Sequence, residues 1–159
     1  METLQINKGN ALTAYDKGSQ PEKNLLENLF GKQTFSRKIT DRVKTYEDAC
    51  AVLGIDPNAS LPYLTDADGD IAFLNATAKL VIIVRALNEG WTPDWSNSSQ
   101  YKHYPWFRAN PAGSGFSFRV CVFDCTLSNV GSRLVFKSEE LAKYAGTQFL
   151  DIYNQFLSL

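Results

Sequence analysis

Phe116-Ser117-Phe118-Arg119-Val120-Cys121-Val122-Phe123 sets Phe116, Phe118, Val120 and Val122 in alternation with Ser117, Arg119, Cys121 and Phe123. A two-residue period over eight positions belongs to a strand, whose side chains point to opposite faces in turn. Beyond the turn chemistry of Asn129-Val130-Gly131-Ser132, Leu134 and Phe136 alternate with Arg133, Val135 and Lys137. The two runs are expected to pair as an antiparallel hairpin with its loop near residues 126–131. Ser138 then reads as a helix cap, with Glu139 and Glu140 in the first turn. Leu141, Ala145, Phe149, Ile152 and Phe156 follow at steps of 4, 4, 3 and 4, one face of an amphipathic helix lying across the sheet. Gly146 costs that helix about 1 kcal/mol relative to Ala, a choice expected where a neighbour packs close.

Toward the N-terminus, residues 74–90 carry two signals. Leu80-Val81-Ile82-Ile83-Val84 is β-rich, whereas Ala76, Ala78, Ala86, Leu87 and Glu89 favour helix, with Gly90 as a stop. A helix buried on most sides is predicted, with a buried strand as the alternative. Residues 1–55 read as helical: Leu25, Leu26, Leu29 and Phe30 recur at helical spacing between Pro21 and Gly31. Thr45 before Tyr46-Glu47-Asp48 reads as a cap, Ala49, Cys50, Val52 and Leu53 as an apolar stripe, and Gly54-Ile55 as a glycine stop. The turn residues Asp56 to Ser60 make the natural boundary. The predicted fold is α+β: a helical part at 1–55, then an α+β core at 61–159 with a central buried helix, a small antiparallel sheet and the C-terminal helix. The two parts could also form one continuous domain.

In 159 residues, 16 Lys and Arg stand against 17 Asp and Glu, for a net charge of −1. Affinity for nucleic acid through phosphate neutralisation needs clustered basic residues, so this balance disfavours it as the main mode. A 44% apolar content supports a packed core. Residues 1–8 lack the basic and apolar regions of a signal peptide, and Leu80–Val84 is far short of the ~20 apolar residues of a membrane span. A cytoplasmic protein with no membrane association is therefore expected, its three cysteines kept as thiols.

The densest feature is aromatic. Trp91, Trp95, Tyr101, Tyr104, Trp106 and Phe107 place six rings, all three tryptophans among them, within seventeen residues. Pro93, Pro105 and Ser96-Asn97-Ser98-Ser99 make much of this stretch loop or irregular strand. The rings could form a secondary core beneath the sheet. They could instead form a recognition surface with Lys102, His103 and Arg108, since Trp and Tyr are enriched at binding hot spots.

The reactive groups are sparse, and no catalytic residue is assigned. His103 is the only histidine, so any Ser-His or Cys-His chemistry must pass through it. Cys121 and Cys125 on a strand would lie ~13 Å apart, too far to share one metal ion or disulfide. Cys50 reads as a small core residue. Asp66-Ala67-Asp68-Gly69-Asp70 resembles calcium chemistry, but the twelve-residue loop pattern would put Ile71 at its sixth position and Thr77 at its twelfth. Gly113-Ser114-Gly115 precedes a strand without a following Lys, so it is a turn rather than a phosphate loop. Arg37, Lys38, Arg42 and Lys44 form a modest basic stretch, read as a solvated helix entry. No metal or cofactor is predicted.

Residues 23–31 (Lys-Asn-Leu-Leu-Glu-Asn-Leu-Phe-Gly), 41–50, 86–91, 101–107 and 131–134 running into 140–146 together resemble small uncharacterised proteins of phages and prophages of gut Bacteroides-type bacteria. The resemblance implies a viral or mobile-element product acting in the cytoplasm of a bacterial host or in a virion, and it carries no catalytic residues. The expected function is non-catalytic: an accessory or structural protein binding a protein partner, or itself, through Trp91, Trp95, Tyr101, Lys102, His103, Tyr104, Trp106, Phe107 and Arg108. The alternatives are a single-stranded nucleic-acid-binding module using the same rings with Lys102, Arg108 and Arg119, and, less favoured, a metal-dependent enzyme built on Asp66, Asp68 and Asp70.

Overall fold

A computed structural model of the chain describes residues 8–36, 38–59 and 70–158. It divides into two compact units, residues 1–42 and 43–159. The smaller contains α1 (Lys8–Lys17), α2 (Gln20–Phe30), a 3-10 turn (Lys32–Phe35) and α3 (Ile39–Arg42). Pro21 lies in the first turn of α2, where its missing N–H costs nothing. Gly31 follows at φ 79°, a left-handed conformation that glycine adopts without strain. Phe35 is buried, stacked on Tyr15 at 4.4 Å, and the Tyr15 hydroxyl donates to Glu27.

The larger unit is an α+β assembly of α4 (Tyr46–Leu53), α5 (Ile71–Asn88), β1 (Lys102–Ala109), β2 (Phe116–Asp124), α6 (Glu139–Gln148) and α7 (Leu150–Leu157). Compared with the expected boundary near residues 55–61, the division falls earlier, and α4 packs on α5 within this unit. Both ends of α4 follow the sequence reading. Thr45 Oγ1 accepts from Asp48 N–H while the Asp48 carboxylate accepts from Thr45 N–H, a reciprocal cap. Gly54 then turns left-handed, and Ile55 N–H donates back to the Cys50 carbonyl.

Residues 71–88 are helical, not a strand. Ala76, Leu80, Ile83 and Leu87, at steps of 4, 3 and 4, are fully buried, and α5 packs against α4, α6 and α7. By length and composition alone α5 could cross a membrane, with 18 residues at mean hydropathy 1.5. A core helix of a folded domain satisfies the same criterion.

The sheet differs from the expected hairpin. β2 pairs with β1, from Lys102↔Asp124 to Ala109↔Phe116, and not with residues 133–137. That second run lies on the other side of β1, through a bridge of Phe136 to His103. Residues 134–136 are buried in succession and meet β1 only through that bridge, so the expected alternation at 133–137 does not make a second strand. Pro105, read as a mark of loop or irregular strand, lies within the strand at 102–109. His103 directs its N–H and C=O away from β2, to Phe136, so the nitrogen of Pro105, two residues on, also faces away from the β1–β2 ladder.

Two asparagines tie the extended segments to helices. Asn88, buried at the end of α5, donates to the Val135 carbonyl at 2.8 Å and accepts from Lys137 N–H at 3.0 Å. Asn154 on α7 accepts from Phe116 N–H at 2.6 Å and donates to its carbonyl at 3.2 Å. Each amide satisfies a donor and an acceptor as a neighbouring strand would.

The single C-terminal helix of the sequence reading is two helices, broken at Phe149, whose φ of −109° and ψ of 30° leave the helical region. α6 packs on the sheet face, as expected. A Cβ on Gly146 would sit 2.6 Å from Phe118 Cδ2 and 2.7 Å from Pro105 Cβ, so this glycine sets how closely α6 approaches. Replacing Gly146 with Ala is expected to lower stability by about 1–2 kcal/mol despite the better helix propensity of Ala. Urea denaturation reads this directly, and equal or higher stability would contradict the close approach.

Candidate binding surface

The aromatic stretch 91–108 divides into a fixed base and an outward part, and Lys102 makes the division. Lys102 opens β1 and is fully buried. Its ammonium donates to the carbonyls of Asp94 at 2.5 Å, Asn97 at 3.2 Å and Cys125 at 2.6 Å. It also lies 5.2 Å from the centre of the Trp95 ring, a cation–π contact. Three carbonyls use the three donors of an ammonium. Two carboxylates supply the compensating charge that burial demands.

Each carboxylate is itself held in a turn. Asp94 accepts from the N–H and hydroxyl of Ser96, and these bonds, with Lys102 nearby, hold its carboxyl below the usual range. Asp124 accepts from the backbone N–H groups of Cys125, Thr126 and Leu127, which lower its pKa in the same way.

The other expected site residues separate accordingly. Tyr104 is buried, with its hydroxyl 3.4 Å from the Asn129 amide. Trp91 follows the left-handed Glu89 and Gly90 and is half-buried. Trp95 is half-buried over Lys102. Phe107 is half-buried against Tyr153, with ring centres 4.7 Å apart. Lys102 and Tyr104 are therefore buried on the strand face that also carries Trp106, whereas Tyr101 and Trp106 stand 54% and 47% exposed. Arg108 is exposed and His103 half-exposed.

β2 contributes residues that the sequence reading left out of the site. Val120 is the cross-strand partner of Trp106, so the two share a face, and it is 46% exposed. Phe123 is the partner of His103, is 57% exposed, and meets Tyr101 edge-on at 4.7 Å. Leu127, in the turn after β2, is 70% exposed. The strand alternation contained these positions, but only the β1–β2 register puts them beside the tryptophan-rich segment.

That register also brings Cys121 to His103, with Sγ 3.9 Å from Nδ1. The pair has the composition of a nucleophile and base without the electrostatics. Burial pushes the Cys121 thiol up to about 11, with Glu139 and Glu140 adding to the effect. Burial lowers the pKa of His103, opposed by the same two carboxylates. A neutral thiol beside a neutral imidazole is not an activated pair. Among the described residues, no group of three or more His, Cys, Asp or Glu could hold a metal ion. Asp66 and Asp68 lie outside the described residues; Asp70 is described and exposed. At pH 8, Cys121 is expected to carry roughly 100-fold less thiolate than a thiol of pKa 9.0. Peptide mapping after timed iodoacetamide treatment should show correspondingly slow modification, and alkylation at the rate of an unstructured peptide thiol would contradict this environment.

No family model, curated protein or solved structure matches the chain.

Proposed function

We propose that this protein is a non-catalytic binding module that engages a protein partner, or a second copy of itself, through the outward part of the β1–β2 pair. One observation carries the reading. Of the eight large apolar side chains exposed among the described residues, five (Tyr101, Trp106, Val120, Phe123 and Leu127) belong to β1, β2 and their immediate flanks; Trp106 and Val120 share one face of the pair, whereas Phe123, with Tyr101 against it, lies on the other. Exposed rings held on a rigid strand lose little conformational freedom on binding, and an aromatic anchor with a polar rim is the usual composition of an interaction hot spot. Arg108 and Arg119 are exposed on the same strands, which favours a partner with acidic residues around an apolar centre. The resemblance of the sequence to phage proteins suggests that such a partner belongs to a bacterial host or a virion.

Single-stranded nucleic acid is the second reading, supported by the same exposed rings with Arg108 and Arg119. It is weaker because Lys102, the third cation it needs, spends its ammonium on Asp94, Asn97 and Cys125.

Panning a random peptide library against the folded chain is expected to return apolar peptides with acidic flanks. Trp106→Ser and Val120→Lys should each weaken them at least about tenfold while the thermal transition stays in place. Peptides that bind both variants as well as the wild type would remove this face as the interaction site. Selective, salt-sensitive binding of oligonucleotides instead would favour the second reading.

A further inference from the structure

One edge of β2 lies against β1, and among the described residues no strand occupies the other. The register fixes which backbone groups that second edge presents. His103 exchanges its N–H and C=O with Phe136 and not with β2. Its cross-strand partner Phe123 is therefore a non-hydrogen-bonded position, with N–H and C=O directed away from β1. Cys121, two residues back and opposite Pro105, points the same way. At the start of the strand, Asn154 takes the N–H and C=O of Phe116. No described residue does this for Cys121 or Phe123.

Folded proteins usually blunt a free strand edge with Lys, with Pro or by keeping it short. β2 runs nine residues with neither Lys nor Pro, and it exposes Val120 on one face and Phe123 on the other. Its register shift opposite Trp106 and Phe107 confines regular pairing to Val120–Asp124. We infer that this edge receives β2 of a second copy of the chain, antiparallel, giving one four-stranded sheet with a two-fold axis at Val122. Two features select a copy over an unrelated segment. The open groups are self-complementary, because Cys121 of each copy pairs with Phe123 of the other and no open group in that segment is left over. Charge agrees as well: antiparallel alignment brings each Arg119 to the end of the copy that carries Asp124. The inference rests on reading the β1–β2 pair as an interaction surface and names its partner, but it uses the strand edge and not the face of Trp106 and Val120.

Sedimentation equilibrium of the full chain should give twice the single-chain mass of 17.8 kDa. At the two-fold axis Val122 faces its own copy as a non-hydrogen-bonded pair, with Cα atoms about 4.5 Å apart, within reach of a disulfide. With Cys121→Ser and Cys125→Ser as background, Val122→Cys should form a covalent dimer in oxidised glutathione. Val120→Cys, displaced ~13 Å along the sheet from its own copy, should not. A wild-type chain that stays monomeric up to ~1 mM would overturn the proposal. So would equal cross-linking of the two cysteine variants, or none by Val122→Cys in a chain that sediments as a dimer. The two readings fail separately: a monomer that still selects peptides through Trp106 ends the dimer alone, and a dimer whose peptides ignore Trp106→Ser ends the face alone.

Discussion

A single buried ammonium organises the part of this protein that faces outward. Lys102 has no exposed surface and donates to carbonyls from three separate places: Asp94 and Asn97 in the loop before β1, and Cys125 in the turn after β2. A desolvated cation is tolerable only when all its donors are satisfied and opposite charge is close. Asp94 and Asp124 supply that charge, and each is fixed by bonds within its own turn. Loops that would otherwise be free of regular structure are thereby held against the sheet. The exposed Trp106, with Val120 beside it, stands on the same strand face as this buried ammonium.

The same economy of polar groups recurs through the larger unit. Asn88 completes the backbone of Val135 and Lys137, and Asn154 completes that of Phe116. A two-stranded pair has little independent stability. Here it gains from α6, which approaches closely because Gly146 leaves room for Phe118 and Pro105. Where such completion fails, at the edge beyond Pro105, a cavity remains. Rigid sheet and unfilled edge are consequences of one construction.

Much of the fold was legible in local chemistry. The Thr45–Asp48 cap, the Gly54 stop, the Ser138 cap and the buried face of α5 depend on residues within a few positions of one another, and spacing reports them faithfully. Gly146 was legible too, as a helix residue whose presence needs a packing reason. Strand partnership was not legible: Phe116–Phe123 pairs with β1, whereas of residues 133–137 only Phe136 meets β1, through a single bridge. The break at Phe149 was hidden because the apolar spacing runs through it almost unchanged. Lys102 offered no signal at all. It read as one cation of the recognition surface, and its three carbonyl partners lie five to twenty-three residues away. The site was accordingly half visible: its tryptophans stood out in the sequence, and Val120 and Phe123 did not.

The central claim is that Lys102 is the internal tie that fixes the aromatic surface, and Lys102→Met tests it by keeping the length of the side chain while deleting the charge. Hydrogen exchange at the Ser96 and Leu127 amides, measured with urea denaturation, should show those amides losing protection and the fold losing about 2–4 kcal/mol. A variant with protection intact and stability within about 0.5 kcal/mol of the wild type would contradict the account.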